Sequence, residues 1–355
     1  MKRNKTKRTQ GLRRFFLGTL LVAIAASLSL YYVNSYLHAP MAIVEMQTLN
    51  VSKGRTYKQV LSELSARGLL QHQRLLEMYS RLAGRGDRIH AGEYLLGPGT
   101  TPSDLLNMLE QGQVRTHSIA LIEGRTIEQM RDVMRNSVQL AKVVADVPSE
   151  KLLNALGIDP EPGRPPEGLF FPDTYVFSGA TSDRDILRQA YLRMHEVLEE
   201  EWKGRAEGLP YRNSYEALIM ASIVERETGL ASERPAIAGV FVRRLQRGML
   251  LQTDPTVIYG LRETFDGNLR RRDLHDADNP FNTYQRPGLT PTPIALPGRA
   301  AIHAALHPAS GASLFFVARG DGSHQFSETL DEHQKAVRKY QIQQRRADYR
   351  SRPQP

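Results

Sequence analysis

The chain has 355 residues, and at about 100–200 residues per domain this length predicts two domains. With 41% hydrophobic and 24% charged residues, its composition is that of a globular protein and excludes wholesale disorder. The chain has no cysteine, which excludes a disulfide scaffold, a thiolate nucleophile, a zinc ribbon and an iron–sulfur cluster.

The formal net charge of +9 comes mostly from the N-terminus. Residues 1–14 hold seven Lys and Arg and no acid, and without them 40 basic residues stand against 38 acidic ones, a balance of +2. A basic chain can bind nucleic acid or anionic lipid. A polybasic run beside an apolar segment is, however, more often a topology signal, so we predict no nucleic-acid partner.

The apolar segment Phe15–Val33 follows the basic tail and contains nineteen residues without a charge. About 20 apolar residues cross a bilayer as a helix, and three tyrosines lie where an interfacial aromatic belt would be. The positive-inside rule places 1–14 in the cytoplasm and the rest of the chain outside. A cleaved signal peptide is the alternative, because 23–27 offers small residues. The long apolar run favours a retained anchor over 15–37.

Two turns share residues at a constant offset of 70 positions. Each lies between an apolar stretch and an amphipathic pattern, which predicts strand, turn and helix. Glycine suits the turn, and threonine can be the N-cap residue of the helix. The identities are Gly54/Gly124, Arg55/Arg125, Thr56/Thr126 and Gln59/Gln129. Two copies indicate a reused local unit and do not by themselves establish a repeat fold.

The remaining pattern indicates an α+β chain. A short strand is predicted at 90–99, a helix from 101–103, and a domain boundary near Val114–His117. The segment 143–172 is predicted to be irregular, because four prolines lie within 159–167. Three helices are then predicted, at about 183–204, 214–228 and 235–247. The aromatic residues Phe170, Phe171 and Tyr175 could line a sugar groove or belong to a core strand, and the sequence leaves both interpretations open.

The middle helix, Ser214–Gly229, carries the candidate chemistry. Its apolar residues surround the helix axis, which predicts burial, and Glu225 and Glu227 lie near its C-terminal end. Burial and the negative end of the helix dipole both raise a carboxyl pKa, as a general acid near neutral pH requires. The alternative is that these carboxylates form structural ion pairs, with Arg226, Arg234 or Arg243 as partners.

Several segments from this helix onward form a recognisable set. They are ASIVERET at 221–228, ASER at 231–234, LQTDPTVIYG at 251–260, NTY at 282–284, HPA at 307–309 and LFFVA at 314–318. With EGLFFPDTY at 167–175, they resemble the endolytic murein transglycosylase family, also called MltG or YceG-like. The LQTDPTVIYG segment is the most specific, whereas the anchor and the first domain are much less so.

The resemblance implies a fold and a location. The family is bitopic in the inner membrane, with a single N-terminal transmembrane helix, a LysM-like α/β subdomain and a mixed α+β catalytic domain on the periplasmic side. Here these parts would be 15–37, 46–116 and 117–340. They would be preceded by the cytoplasmic tail 1–14 and followed by a basic, flexible C-terminus, 341–355.

The resemblance also implies an activity. Family members cut peptidoglycan glycan strands internally, between N-acetylmuramic acid and N-acetylglucosamine, and act near the peptidoglycan synthases to terminate nascent strands. Glu225, on a helix of the catalytic domain, matches the catalytic glutamate of the family. It would protonate the glycosidic oxygen and then accept the proton of the muramoyl 6-hydroxyl, which leaves a 1,6-anhydro end. Candidate supporting residues are Glu227, Gln252, Asp254, Tyr259, Asn282 and Tyr284.

Each supporting residue has a suggested role in the active site, and for each an alternative structural role stays open. Gln252 and Asp254 would be polar groups near the cleft, Tyr259 and Tyr284 sugar platforms, and Asn282 a donor to an acetamido or hydroxyl group. Each could instead serve a turn or the core. Glu227 could orient Glu225 or pair with an arginine.

Two other functions remain open at this point. In a hydrolytic muramidase, Glu225 would be the acid and Asp254 the nucleophile or base. In a non-enzymatic cell-wall scaffold, the first domain would bind glycan and the second a synthase. A metal hydrolase is disfavoured, because His303 and His307 lie four apart without the Glu of an HExxH motif. We therefore predict no metal and no cofactor.

Overall fold

The structure is a computed structural model that describes residues 3–159, 161, 163–179 and 181–344, with side chains from residue 16 onward except that of Glu263. Most of the predicted flexible C-terminus, 345–355, and the first two residues of the predicted tail lie outside this range. The chain divides into two compact units. The N-terminal unit comprises 1–117 with 177–181, and the C-terminal unit comprises 118–176 with 182–355.

The N-terminal unit begins with one long helix. Its elements are α1 (Arg3–His38), β1 (Gln47–Val51), α2 (Tyr57–Ala66), α3 (Gln73–Leu82), β2 (Gly92–Leu96) and α4 (Pro102–Gln111). Within α1, the stretch Phe16–His38 is long and apolar enough to cross a membrane by length and composition. This agrees with a single N-terminal transmembrane helix. The predicted strand at 90–99 and the helix beginning near 102 are confirmed as β2 and α4.

The core of the N-terminal unit forms where its strands meet its helices. β1 and β2 pair antiparallel, from Gln47 opposite Leu96 to Val51 opposite Gly92. Alternate strand residues are buried, as expected for a sheet with one face on the core. They pack against leucines and valines of the helices. The fully buried residues include Leu49, Val60, Leu61, Leu64, Leu76, Tyr94, Leu96, Leu105 and Leu109.

The C-terminal unit is mostly helical. Its elements are β3 (Thr116–Ala120), α5 (Ile127–Asn136), α6 (Ser149–Ala155), β4 (Thr174–Ser178), α7 (Asp183–Lys203), α8 (Ser214–Glu227), α9 (Arg234–Gln246), α10 (Asp254–Leu261), α11 (Arg271–Leu274), α12 (Arg299–Leu306), β5 (Phe315–Ala318), β6 (His324–Ser327) and α13 (Leu330–Val337). The first two residues of β3 and the last two of β4 fall within the residue ranges of the N-terminal unit. A π-helical turn, Arg338–Gln343, ends the described chain. β3 pairs with β4, and β5 pairs antiparallel with β6. The chain is thus mixed α+β, as predicted.

The three helices predicted in the centre of this unit are confirmed as α7, α8 and α9. The segment predicted to be irregular is not wholly so, because α6 lies within it; its other described residues contain no helix or strand. Helix α6 has only seven residues and buries only two leucines, which follow charged and polar residues. Its sequence therefore shows no clear helical periodicity. Phe170, Phe171 and Tyr175 are all buried, so they belong to the core rather than to an open sugar groove.

Helix α8 lies at the centre of the C-terminal unit, packed against α7, α9, α10 and α12. Every residue from Glu216 to Glu225 is buried, which confirms the prediction from its all-round apolar pattern. Each fully buried leucine or isoleucine in it contributes roughly 1.5–3 kcal/mol to folding. A functional carboxyl on this helix is therefore held by a rigid core.

Candidate active site

The carboxyl group of Glu225 lies near the end of α8 and is buried. Its Oε1 accepts a hydrogen bond from Nη2 of Arg234 at 3.0 Å, and its Oε2 accepts one from the backbone N–H of Gly298 at 3.0 Å. Both oxygens therefore have a donor, and the side chain is fixed in one orientation.

Two helix starts supply these donors. A short 3₁₀ turn joins α8 to α9, and Arg234 is the first residue of α9, so the guanidinium lies beside the end of α8. Gly298 is the N-cap residue of α12, where backbone N–H groups have no partner within the helix. The positive end of a helix favours a carboxylate. Glu225 thus points from the end of one helix to the start of another.

Interactions of opposite sign act on the pKa of the Glu225 carboxyl group. Burial raises its pKa most, while the charge of Arg234 and the N–H of Gly298 lower it, and the nearby carboxylate of Glu123 raises it. The net direction is upward. Glu225 therefore keeps a proton to higher pH than a surface glutamate does, although it also forms the Arg234 ion pair that the alternative interpretation anticipated.

Glu123 is a second carboxylate at this site that the sequence pattern marked only as part of a turn. Its Oε2 lies 3.8 Å from Nη2 of Arg234. Its Oε1 would lie 1.8 Å from a Cβ on residue 298, so any side chain at that position would displace the Glu123 carboxylate from its present place. The signal that could have found Glu123 is the charge difference from Lys53 in the otherwise similar first turn.

The irregular segment Pro293–Gly298 connects the site to the rest of the unit. The N–H of Ile294 donates to Oγ of Ser222 on α8 at 3.0 Å. The N–H of Gly124 donates to the carbonyl of Leu296 at 2.9 Å. The turn that carries Glu123 and the helix that carries Glu225 are therefore both hydrogen-bonded to this one segment, which ends at the Gly298 donor.

Glu227 connects the end of α8 to the LQTDPTVIYG segment, residues 251–260. Its Oε2 accepts a hydrogen bond from the Thr253 hydroxyl at 2.6 Å. The following residue, Asp254, is exposed and accepts a hydrogen bond from the Tyr284 hydroxyl through Oδ1 at 2.6 Å. Burial and Asp254 raise the pKa of Tyr284, so its hydroxyl stays protonated and donates. Asp254 is not a hydrogen-bond partner of Glu225.

Gln252 has a left-handed backbone conformation, with φ at +53°, and an exposed side chain. Its Oε1 accepts from Nη1 of the buried Arg244 at 3.2 Å, and its N–H donates to the carbonyl of Thr283 at 3.1 Å. A non-glycine residue in this region is uncommon and costs free energy. The contacts hold Gln252 in place beside Thr253.

Asn282 is fully buried, and its amide is occupied by its own loop. Nδ2 donates to the carbonyls of Asp273, Leu274 and Asp276, and Oδ1 accepts from the N–H of Tyr284. These bonds fix the loop that presents Tyr284. In this structure the side chain braces the loop and makes no approach to solvent.

Tyr259 connects to a second buried carboxyl group. Its hydroxyl donates to Oε2 of Glu167 at 3.1 Å, and its ring packs edge-on against Phe281. Oε1 of Glu167 accepts from the N–H of Ile127, the first residue of α5, at 3.0 Å. Burial raises the pKa of Glu167 to about 7. The EGLFFPDTY segment contained Glu167, but no periodicity indicated that its carboxyl group is buried.

Comparison with known proteins identifies the family. The sequence pattern of the YceG-like family matches residues 49–339. An endolytic murein transglycosylase of Bacillus subtilis is 30% identical over 306 residues, covering 82% of this chain and 84% of that protein. One of Streptococcus pneumoniae is 25% identical over 339 residues, and this chain spans 60% of its length.

A solved structure is also similar. The crystal structure of a YceG-like protein from Listeria monocytogenes has a TM-score of 0.50 and 26% identity, covering 82% of this chain and 99% of that one. Because the family pattern covers most of the chain and the Bacillus protein aligns over most of both lengths, the protein belongs to the YceG-like family.

Proposed function

We propose that the protein is an endolytic murein transglycosylase, a lyase that cuts peptidoglycan glycan strands between N-acetylmuramic acid and N-acetylglucosamine. The observation that carries the proposal is the Glu225 carboxyl group, buried at the end of α8 with a raised pKa and fixed by Arg234 and Gly298. A carboxyl group whose pKa is raised keeps its proton to higher pH than an ordinary glutamate, which favours a role as general acid. The names of the Bacillus and Streptococcus relatives support the reaction class.

Glu225 serves in both steps of the proposed mechanism. The protonated carboxyl group donates to the glycosidic oxygen while the bond to C1 of the muramoyl residue breaks and an oxocarbenium-like state develops. The carboxylate that results accepts the proton of the 6-hydroxyl, whose oxygen attacks C1. The product is a 1,6-anhydro end, no water is consumed, and Glu225 regains its proton.

Arg234 and Glu123 tune this cycle in opposite directions. Arg234 stabilises the carboxylate that exists between the two steps, at 3.0 Å from Oε1. Glu123 interacts unfavourably with that carboxylate and so favours the return of the proton. We assign both as positioning and electrostatic residues of the reaction.

Exposed polar groups near Thr253 are the proposed contacts for the sugars. Gln252 and Asp254 would bind glycan hydroxyl or acetamido groups, Tyr284 would present its ring edge beside Asp254, and Glu227 would hold Thr253 in place. Tyr259 would serve as a sugar platform through its accessible face. We assign Asn282 to bracing the loop, because its amide is already bonded to four backbone groups.

We also propose a cellular location and a domain organisation for the protein. Residues 1–14 would be cytoplasmic, 15–37 would anchor the protein in the inner membrane, and 46–116 would form a LysM-like, glycan-binding subdomain. Residues 117–340 would form the periplasmic catalytic domain. Polar groups and aromatic rings suit a glycan strand, and synthase partners near that strand would follow from its position at the membrane.

The test is mass spectrometry of intact glycan strands digested with the full chain. We expect 1,6-anhydro ends from the wild type and their loss, by at least about 100-fold in rate, from Glu225→Gln. Glu216→Gln is the matched control, since Glu216 lies at the other end of α8 and pairs with Arg212. Reducing ends, which contain an added water, would indicate a hydrolytic muramidase instead. Unchanged biological function of folded Glu225→Gln would indicate a scaffold.

A further inference from the structure

The structure brings a glutamate to the pair His303 and His307, for which the sequence, lacking an HExxH motif, predicted no metal. His303 lies on α12, and His307 is the residue that caps its C-terminal end. Glu201 reaches them from the last turn of α7. One ligand atom from each of the three side chains lies within 4.8 Å of the others. We propose that Glu201, His303 and His307 form a zinc-binding site, separate from Glu225, that clamps α12 to α7.

The distances suit a single ion. Nδ1 of His303 lies 2.8 Å from Oε2 of Glu201. Two ligands at about 2.0–2.1 Å from a tetrahedral zinc lie about 3.3 Å apart, so a modest widening lets the ion replace the shared proton. The His307 ring stacks on His303 with centroids 4.3 Å apart. His303 is exposed and His307 is partly exposed, so a change of ring orientation at His303 can bring the nitrogens of both rings toward one ion.

The charged groups around the site are balanced so that a cation can be accommodated. Nε of Arg299 donates to Oε1 of Glu201 at 2.7 Å, and its Nη2 pairs with Glu200 at 2.8 Å. Glu200 therefore balances the charge of Arg299, and Glu201 retains its negative charge for the ion. The Arg299 hydrogen bond also orients the carboxylate, as partners of metal ligands commonly do.

The ligand types select the metal. Two imidazoles and one carboxylate are a zinc ligand set, in which water takes the fourth position. The three side chains come from two helices, so an ion bound by all of them would tie α7 to α12. Helix α12 begins directly after Gly298, the donor to Glu225, so the clamp would hold the helix whose opposite end supplies that donor.

Zinc titration tests the site with a readout that does not involve the glycan reaction. The full chain in detergent micelles, with any purification tag removed, would compete with a chromophoric chelator for Zn²⁺. We expect one equivalent bound by the wild type and at least about tenfold weaker binding by His303→Ala and by His307→Ala. His195→Ala is the matched control, because His195 pairs with Glu199 on the same α7 at 3.3 Å without a second histidine.

Two binding results would overturn the zinc site. The site is wrong if wild-type protein binds Zn²⁺ no tighter than His303→Ala, or if His195→Ala weakens binding equally. Thermal unfolding then tests the clamp. Saturating Zn²⁺ should raise the Tm of the wild type by about 5 °C, reversibly with a chelator, and leave His303→Ala unchanged. A wild-type Tm that zinc does not move would contradict the clamp.

Discussion

The two Gly-Arg-Thr turns of the chain have nearly the same local structure. Gly54 and Gly124 both have positive φ, at +83° and +72°. In both, the threonine caps the following helix and the glutamine three residues later returns a hydrogen bond, which is a complete capping box. A short range of sequence thus sets the backbone, and the predicted reuse of a strand–turn–helix unit is confirmed at this level.

The surroundings of the two turns differ completely. Arg55 of the first turn bonds to the carbonyl of Asn50 and pairs with Glu63, inside its own strand–turn–helix unit. In the second turn, the carbonyl of Gly124 accepts from Arg226, and Glu123 lies beside Arg234. The two turns have similar backbones and differ in the charged side chain before the glycine, Lys53 or Glu123, and in the distant residues around it. These differences place only the second turn beside a candidate catalytic group.

Exchanging the charge that distinguishes the turns should have the largest effect. In Glu123→Lys, a cation beside Glu225 would stabilise the carboxylate and lower its pKa, so the acid would lose its proton. We expect anhydro-product formation to fall about 100-fold or more, measured on glycan strands by mass spectrometry. Lys53→Glu, the reciprocal change in the first turn, should stay close to wild type. Equal losses in both variants would show that the turns do not differ in this respect.

Arg234 and Glu123 should set the position of the alkaline limb of the pH–activity profile, because both change the pKa of Glu225. Glu225 must be protonated to act, so activity falls as pH rises through its raised pKa. Arg234→Met removes the cation that lowers this pKa and should move the limb to higher pH. Glu123→Gln removes a charge that raises the pKa and should move the limb to lower pH.

The measurement for this pair of variants is kcat/KM against pH. Arg212→Met is the control, because it breaks an Arg–Glu pair at the opposite end of α8. A limb that stays in place in Arg234→Met, or one that Arg212→Met moves as far, would contradict the assignment of Glu225 as the acid.

Stability near the second turn should depend on pH through Glu167, which holds the first N–H of α5. Its pKa is raised from 4.5 to about 7, so the folded state keeps a proton that the unfolded chain has released between these values. The free energy of unfolding must then fall as pH rises through this window, by about 3 kcal/mol from this group.

Urea unfolding at pH 5 and pH 8 measures this effect. The single tryptophan, Trp202, packs against the core of the C-terminal unit and supplies the fluorescence signal. Glu167→Gln should lose about 3 kcal/mol less than wild type between the two pH values. An identical pH dependence in both proteins would show that Glu167 is not the responsible group.

The smallest effects should be equal in the two turns. Thr56→Ala and Thr126→Ala each remove one N-cap hydrogen bond, which costs about 1 kcal/mol of local stability. Native-state amide hydrogen exchange would show faster exchange in α2 for the first variant and in α5 for the second. A cost confined to one turn would mean that tertiary packing, rather than the cap, holds the other helix start.

Particular residues show how much of the structure could be predicted from the sequence. The positions of α7 to α9 followed from helix start and stop signals, and the burial of α8 followed from its all-round apolar pattern. The candidate acid, Glu225, followed from that burial and from the family resemblance. Asn282 shows the limit, because the sequence left a ligand contact and a turn or core role both open, and the structure shows backbone carbonyls nine or fewer residues away bonded to its amide.

Sequence alone determined the local features of this protein: the apolar N-terminal helix, the capped turns, the buried helix and its carboxylate. These depend on interactions within a few residues, so their pattern is visible along the chain. Only the tertiary structure decided which groups meet. Glu225 finds Gly298 across 73 positions and Glu201 finds His303 across 102, and no periodicity encodes contacts of that range. Burial then raises the pKa of Glu225 and of Glu167, because desolvation depends on the packed core as a whole.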